Sequence, residues 1–262
     1  MNHVEIEKKG RIAVVRFDRG TAANPLSIRL MRELTETARQ FEEDAQTSAI
    51  ILSGRADNFT FGFDLKDPET RALLDMPLDQ RRIAIAQGKR MCRAWEDLPQ
   101  LTISAIEGWC VGGGVALTVA TDLRVAGAQA VFNVPEIERG MNMSWGSVPR
   151  ITNLVGPARA KRIILLAEKV PAEQAVAWGL ADHVTATGQA VDRARDQAEL
   201  AAAMPPVALT MGKQAINAYA NALAETACHA DFDQFALAIG SEDGVEGIAS
   251  FLEKRAPRFK GR

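Results

Sequence analysis

Residues 101–121 read LTISAIEGWCVGGGVALTVAT. The apolar, β-branched run at 101–106 has the length and composition of a buried strand. Three consecutive glycines follow, Gly112, Gly113 and Gly114, and a helical pattern then runs to about 121. Strand, glycine turn and helix make an α/β unit. A glycine backbone lets a ligand approach closely, and N–H groups at a helix start point at negative charge. The dinucleotide fingerprint GxGxxG is excluded, because counting from Gly112 puts Leu117 where its third glycine belongs. Taken alone, the triple glycine serves tight helix–strand packing equally well.

The pattern repeats upstream. Residues 11–17 (RIAVVRF) read as a strand, and a turn-rich connection with Gly20, Asn24 and Pro25 follows. Ser27 is placed to cap a helix running to about 43, whose Met31, Leu34, Ala38 and Phe41 share one face. Residues 48–53 (SAIILS) form a second buried strand, and 80–97 read as a helix ended by Pro99. Short strands are expected at 123–126 and 130–133, then an irregular stretch over 134–148. From about 157 alanine rises and helices follow one another: 157–168, 171–178, 189–203, 205–220, 223–236 and 242–254. An α/β core carrying a helical C-terminal section is the expected class.

The 262 residues are 47% hydrophobic with a formal net charge of −2. That is globular composition, long enough to bury a core without staples. The balance gives no reason to expect nucleic acid or an anionic membrane as partner. No apolar stretch approaches the ~20 residues of a membrane span, and the N-terminus lacks a signal-peptide core. Cys92, Cys110 and Cys228 are an odd, scattered set without a CxxC pair, and His3, His183 and His229 are equally dispersed. A disulfide framework and a metal site are therefore not expected, and a cytoplasmic location is.

Two other stretches carry chemistry-bearing residues. FTFGFDLK (59–66) follows a strand; its glycine can present backbone N–H groups, and Lys66 can meet a phosphate. Its alternative is a loop plugging the core beside a solvated lysine. Glu136 follows Pro135 between Val134 and Ile137. A carboxylate among apolar neighbours has a raised pKa and can trade protons near neutrality, although most glutamates are merely solvated or salt-bridged.

In this order and spacing, these stretches resemble the crotonase superfamily, also called the enoyl-CoA hydratase/isomerase family. VRFDRG-TAANPLS is similar to its Arg and Asn-Ala-Leu segment, and NFTFGFDLKD to its Phe-x-Ala-Gly-Ala-Asp-Leu-Lys loop. SAIEGWCVGGGVALTVATDLRVAGAQAVFNVPEIERG resembles its Gly-rich helix start and Pro-Glu segment. VGPARAKRIILLAEKVPAEQAVAWGLADHV and the tail FLEKRAPRFKG extend the likeness nearly end to end. The resemblance implies an α/β fold, the crotonase (ClpP-like) spiral of ββα units with a C-terminal α-helical trimerisation section. It divides the chain into an acyl-CoA-binding catalytic core at 1–200 and a helical oligomerisation section at 201–262. A homotrimer or dimer of trimers follows.

The resemblance also implies an acyl-CoA thioester substrate, with coenzyme A as part of it and no separate cofactor or metal. The backbone N–H groups of Phe63 and Gly113 would form an oxyanion hole, with Glu136 as general acid/base. Leu26, Phe61, Gly62, Asp64, Leu65, Lys66, Gly112 and Gly114 would surround the thioester and CoA. Lys260 would reach the nucleotide end of a neighbouring subunit's CoA. Two departures matter. Hydratases of the family use a second glutamate two positions after the triple glycine, where this chain has Ala116. The Gly-rich stretch after the Pro-Glu segment is replaced by MNMSWGS (141–147). Dehalogenase relatives carry aspartate where Ser144 stands and tryptophan where Glu136 stands, so that chemistry is not expected. Isomerisation or hydration of an enoyl-CoA is expected. A hydroxycinnamoyl-CoA hydratase-lyase, an acyl-CoA decarboxylase and a non-catalytic acyl-CoA binder are the alternatives.

Overall fold

The computed structural model describes residues 3–73 and 75–262. The strands are β1 (Val4–Lys9), β2 (Ile12–Phe17), β3 (Ala49–Ser53), β4 (Leu101–Ile106), β5 (Trp109–Val111), β6 (Leu123–Gly127), β7 (Val131–Asn133), β8 (Val170–Pro171) and β9 (His183–Thr185). The helices are α1 (Ile28–Glu42), α2 (Pro68–Ala72), α3 (Leu78–Ile85), α4 (Gln87–Glu96), α5 (Gly113–Thr118), α6 (Ser147–Leu165), α7 (Ala172–Trp178), α8 (Ala190–Ala202), α9 (Pro206–Ala220), α10 (Ala224–Cys228), α11 (Asp231–Gly240) and α12 (Glu242–Glu253).

Six strands form one sheet in the order β1-β2-β3-β4-β6-β9, parallel except for the β1–β2 hairpin. β5, β7 and β8 form a smaller sheet. A parallel sheet is covered on both faces, so its strands read as continuous apolar runs. In β2 and β3, Ala13, Val15, Ile50 and Leu52 join the main core with α1 and α4, while Val14, Ala49 and Ile51 pack against Ala190, Ala194 and Ala198 of α8. Helix α1 is capped as its sequence predicts, with Ser27 Oγ accepting from Leu30 N–H at 3.1 Å. Its Met31, Leu34, Ala38 and Phe41 are all buried. The three cysteines are buried and unpaired.

Several elements differ from the sequence expectation. β1 exposes five of its six residues, so it gives no apolar run to detect. β5, β8 and β9 are two or three residues long, too short for a periodic signal. The helix expected over 80–97 is two, α3 and α4, joined at Ala86. The helix expected over 223–236 is also two, and the second begins at the buried Asp231. Helix α6 begins at Ser147, inside the stretch expected to be irregular, and kinks at Gly156 (φ 77°), where Pro157 restarts it.

Candidate active site

The glycine turn and the 59–66 loop meet because their backbones hydrogen-bond. Thr60 N–H donates to Trp109 O, and Val111 N–H donates to Thr60 O, each at 3.0 Å. On the loop's other side, Leu26 N–H donates to Gly62 O at 2.8 Å and Asp64 N–H to Leu26 O at 3.1 Å. Phe63 is thereby clamped with its own N–H outside the ladder. Gly112 N–H is used by Asn133 O at 2.8 Å, which leaves Gly113, the first residue of α5, with a free N–H. Among the described residues neither the Phe63 nor the Gly113 N–H has an acceptor. The two lie close: a Cβ at Gly62 would come within 3.4 Å of Gly113 N.

These groups border one cavity. Gly62, Phe63, Leu65, Gly112, Gly113, Ala116 and Glu136 all line it, as does the half-exposed Phe61. Gly112 has φ +51° and ψ −110°, a conformation closed to side-chain-bearing residues. A Cβ there would sit 2.3 Å from Glu136 Oε1, so the carboxylate lies directly on this glycine. Glu136 Oε2 is buried and has no hydrogen-bond partner among the described residues. Burial pushes the Glu136 carboxyl up to about 7, against a smaller opposing pull from its own backbone N–H and from Arg139. A group that titrates near neutrality can both take and return a proton.

The far wall is built from side chains, chiefly Met141, Met143, Ser144 and Trp145 with Phe235 of α11. Trp145 is the centre of this wall. Its ring occupies the space that a Cβ on Gly88 or Gly113 would need, and it meets the Phe63 ring edge-on at 6.0 Å between centroids. Trp145 has φ +60° and the next residue, Gly146, φ +70°. A bulky residue in the left-handed region is strained and persists only where its surroundings dictate it. Here Asp231 Oδ2 accepts from Gly146 N–H at 2.6 Å, and Arg150 Nη1 donates to Trp145 O at 3.1 Å. Arg150 is held in turn by a buried two-point pair with Glu96, at 2.7 and 2.8 Å, and Asn221 also donates to Glu96.

The other expected site residues lie elsewhere. Leu26 is fully buried beneath the cavity, where it clamps Phe63. Asp64 pairs with Arg19 at 2.9 Å. Gly114 makes room for the Thr60 methyl group. Lys66 is exposed outside the cavity rim. Lys260 is on the tail, which folds back on the start of α12 through Asp243, and it does not border the cavity. Sequence reading missed Gly88, Glu96, Arg150 and Asp231, which hold Trp145. The only signal for them was their type: one glycine inside a helix and three charged residues at positions that prove buried.

The fold is that of crotonase-type enzymes: an enoyl-CoA hydratase structure from Mycobacterium avium subsp. paratuberculosis superposes with a TM-score of 0.87 at 24% identity, covering 98% of each chain. The Enoyl-CoA hydratase/isomerase family profile matches residues 7–262, and the chain belongs to that family. A short-chain-enoyl-CoA hydratase of Clostridium acetobutylicum is 30% identical over 100% of this chain and 99% of its own length. A probable enoyl-CoA hydratase of Mycobacterium tuberculosis is 31% identical over 98% and 97%. An enoyl-CoA hydratase structure from Bacillus anthracis, 29% identical, covers 99% of this chain and 100% of its own with a TM-score of 0.76.

Proposed function

We propose that this enzyme acts on an enoyl-CoA thioester, with Phe63 and Gly113 N–H groups binding the thioester oxygen and Glu136 moving the proton. One observation carries the reading: a lone carboxylate with a raised pKa faces two unengaged backbone donors across one cavity. Abstraction of a C2 proton from a 3-enoyl-CoA by Glu136 leaves a dienolate, whose charge gathers on the thioester oxygen. Donors aimed at that oxygen are worth ~2.7–4 kcal/mol each in comparable enzymes. Glu136, now protonated, returns the proton at C4, and the double bond comes to rest between C2 and C3.

Ala116 favours this isomerisation over hydration. Adding water to a 2-enoyl-CoA requires a second group to hold and deprotonate it, and a methyl side chain does neither. The reading needs no cofactor beyond the coenzyme A of the substrate. No described helix is long and apolar enough to cross a membrane. Buried, unpaired thiols accord with a reducing, cytoplasmic setting. Exposed Val207, Met211, Ile216 and Tyr219 on α9 support self-association through the helices after residue 200, as a homotrimer or a dimer of trimers.

The test is Glu136→Gln with 3-enoyl-CoA in heavy water, followed by mass spectrometry. Wild type should move the double bond with deuterium uptake. The variant should lose 10²–10⁴-fold in turnover while keeping its CoA-ester affinity. Full activity in the variant sinks the role given to Glu136.

A further inference from the structure

The connection that carries Glu136 continues into a single 3₁₀ turn, Ile137–Arg139, closed by Gly140 at φ 66°. Arg139 N–H donates to Glu136 O at 3.0 Å. Side chains three residues apart stand on the same face of such a turn. Ile137 and Glu138 are exposed, whereas Glu136 and the half-buried Arg139 both border the catalytic cavity. Helix α12 fixes this arrangement. A Cβ on Gly247 would lie 2.3 Å from Arg139 O, so the helix backbone rests directly on Arg139. One helical turn further on, the Phe251 ring lies against the Arg139 guanidinium, 4.1 Å from ring centroid to guanidinium carbon.

Among the described residues the Arg139 side chain makes no ion pair and no hydrogen bond. Burial works against its charge, and Glu136 and Glu138 support that charge only from a distance. A guanidinium stacked by its face keeps its N–H edge for an in-plane partner. Ser144 borders the same cavity and is buried, and its hydroxyl likewise has no partner among the described residues. Its carbonyl is held by the Ser147 hydroxyl at 2.6 Å. Met141, Met143 and Phe235 complete this wall with apolar groups, and Trp145 turns its indole nitrogen to Gly88. We infer that Arg139 and Ser144 bind a carboxylate on the acyl group, so that the substrate is the CoA monothioester of a dicarboxylic acid; this rests on the acyl-CoA reading above. The thioester oxygen goes to the Phe63 and Gly113 N–H groups, and the distal carboxylate to the guanidinium and the hydroxyl. An uncharged acyl chain would close over a half-buried cation and leave it without a counter-ion.

The experiment is calorimetric binding of glutaryl- and adipoyl-CoA to the full chain, each against the plain ester of the same length, pentanoyl- or hexanoyl-CoA. Wild type should bind at least one carboxylated ester about tenfold more tightly than its plain counterpart, the scale of a charge-assisted contact. Arg139→Gln should abolish that preference. Arg139→Lys, which keeps the charge but not the fork, should restore part of it. Ser144→Ala should reduce it about threefold, the scale of one hydrogen bond. Binding of the plain esters shows that each variant is folded. Loss of Arg139 also removes its pull on Glu136. Glu136 would then protonate more readily and repel a second carboxylate less, so a lost preference does not arise through Glu136. Wild type that binds plain and carboxylated esters equally overturns the inference and leaves the enoyl-CoA reading intact. An Arg139→Gln protein with the wild-type preference overturns it too. Failure of wild type to bind any of the four esters overturns the acyl-CoA reading and this inference together.

Discussion

The cavity has two walls of different make. One is backbone: the free N–H groups of Phe63 and Gly113, set by the ladder through Thr60, Leu26 and Asn133. The other is side chain: Met141, Met143, Ser144 and Trp145, set by Asp231, Arg150 and Glu96. A backbone donor survives any substitution that leaves φ and ψ alone. Phe63 can therefore carry a bulky ring without losing its N–H. A side-chain wall has no such tolerance, and each change there alters the space offered to the acyl group. On the proposed reading, the contrast separates chemistry, assigned to the first wall, from selectivity, assigned to the second.

The hardest blow to the first wall is Gly112→Ala. Its Cβ would collide with Glu136 Oε1 at 2.3 Å, in a backbone conformation that alanine avoids. Turnover should fall by 10²–10³-fold, the scale of losing a positioned catalytic group. Near-normal kcat in a folded G112A protein would show that the carboxylate does not depend on this glycine. The pH profile is the next largest effect. With Glu136 titrating at about 7, its basic form grows about tenfold per pH unit below that point. The kcat/KM should climb with pH and level off above about 7, and a profile flat from pH 5 to 8 would contradict the assignment. Stability runs the other way. The folded pKa lies above the ordinary 4.5, so the native state binds the proton more tightly than the unfolded chain. Stability contributed by this group is full below about 4.5 and is lost as pH rises to about 7. Glu136→Gln should flatten that trend in denaturant titrations across the same range.

The second wall should yield more gently. Trp145→Ala empties the space between Gly88, Gly113 and Phe63. It should shift the ranking of acyl groups, with kcat/KM for the best substrate falling about tenfold, the scale of pocket-shape discrimination. An unchanged ranking would remove Trp145 from selectivity. Asp231→Ala leaves the Gly146 N–H without its acceptor. The expected cost is about 1–3 kcal/mol of stability, seen as a Tm lower by several degrees. Should Tm hold steady, the left-handed pair at Trp145–Gly146 is anchored by Arg150 alone.

The residues of the first wall were named in sequence through the family resemblance, whose motifs each lie within one short stretch of chain. Gly62–Phe63 and Gly112–Gly113 each follow a buried strand, and Glu136 stands close to Val134 and Ile137, an apolar setting that by itself left a solvated or salt-bridged role open. The second wall was not legible. Trp145 owes its position to Gly88, some sixty residues earlier, and to Asp231, some ninety later. No local periodicity encodes such a grip. Buried charge gave no warning either: Glu96 and Arg150 look like surface residues until the fold pairs them. The fold was read best where strands are long and buried on both faces, as in β3 and β4, and worst at the two- and three-residue strands. Lys66 and Lys260 carry charges matched to phosphate, yet neither borders the cavity within this one chain.

The three cysteines have a use outside the chemistry. Burial raises the thiols of Cys92 and Cys110 to about 12 and that of Cys228 to about 11. Alkylating reagents need an accessible thiolate, so in the closed protein all three are silent. Each can be labelled only when its surroundings transiently open. Cys110 lies in β5 beside the glycine turn, Cys92 on α4, and Cys228 in the five-residue α10. Labelling kinetics at these three sites would time separate breathing motions of the molecule without any foreign probe, with Cys228, in a helix of only five residues, the first to respond.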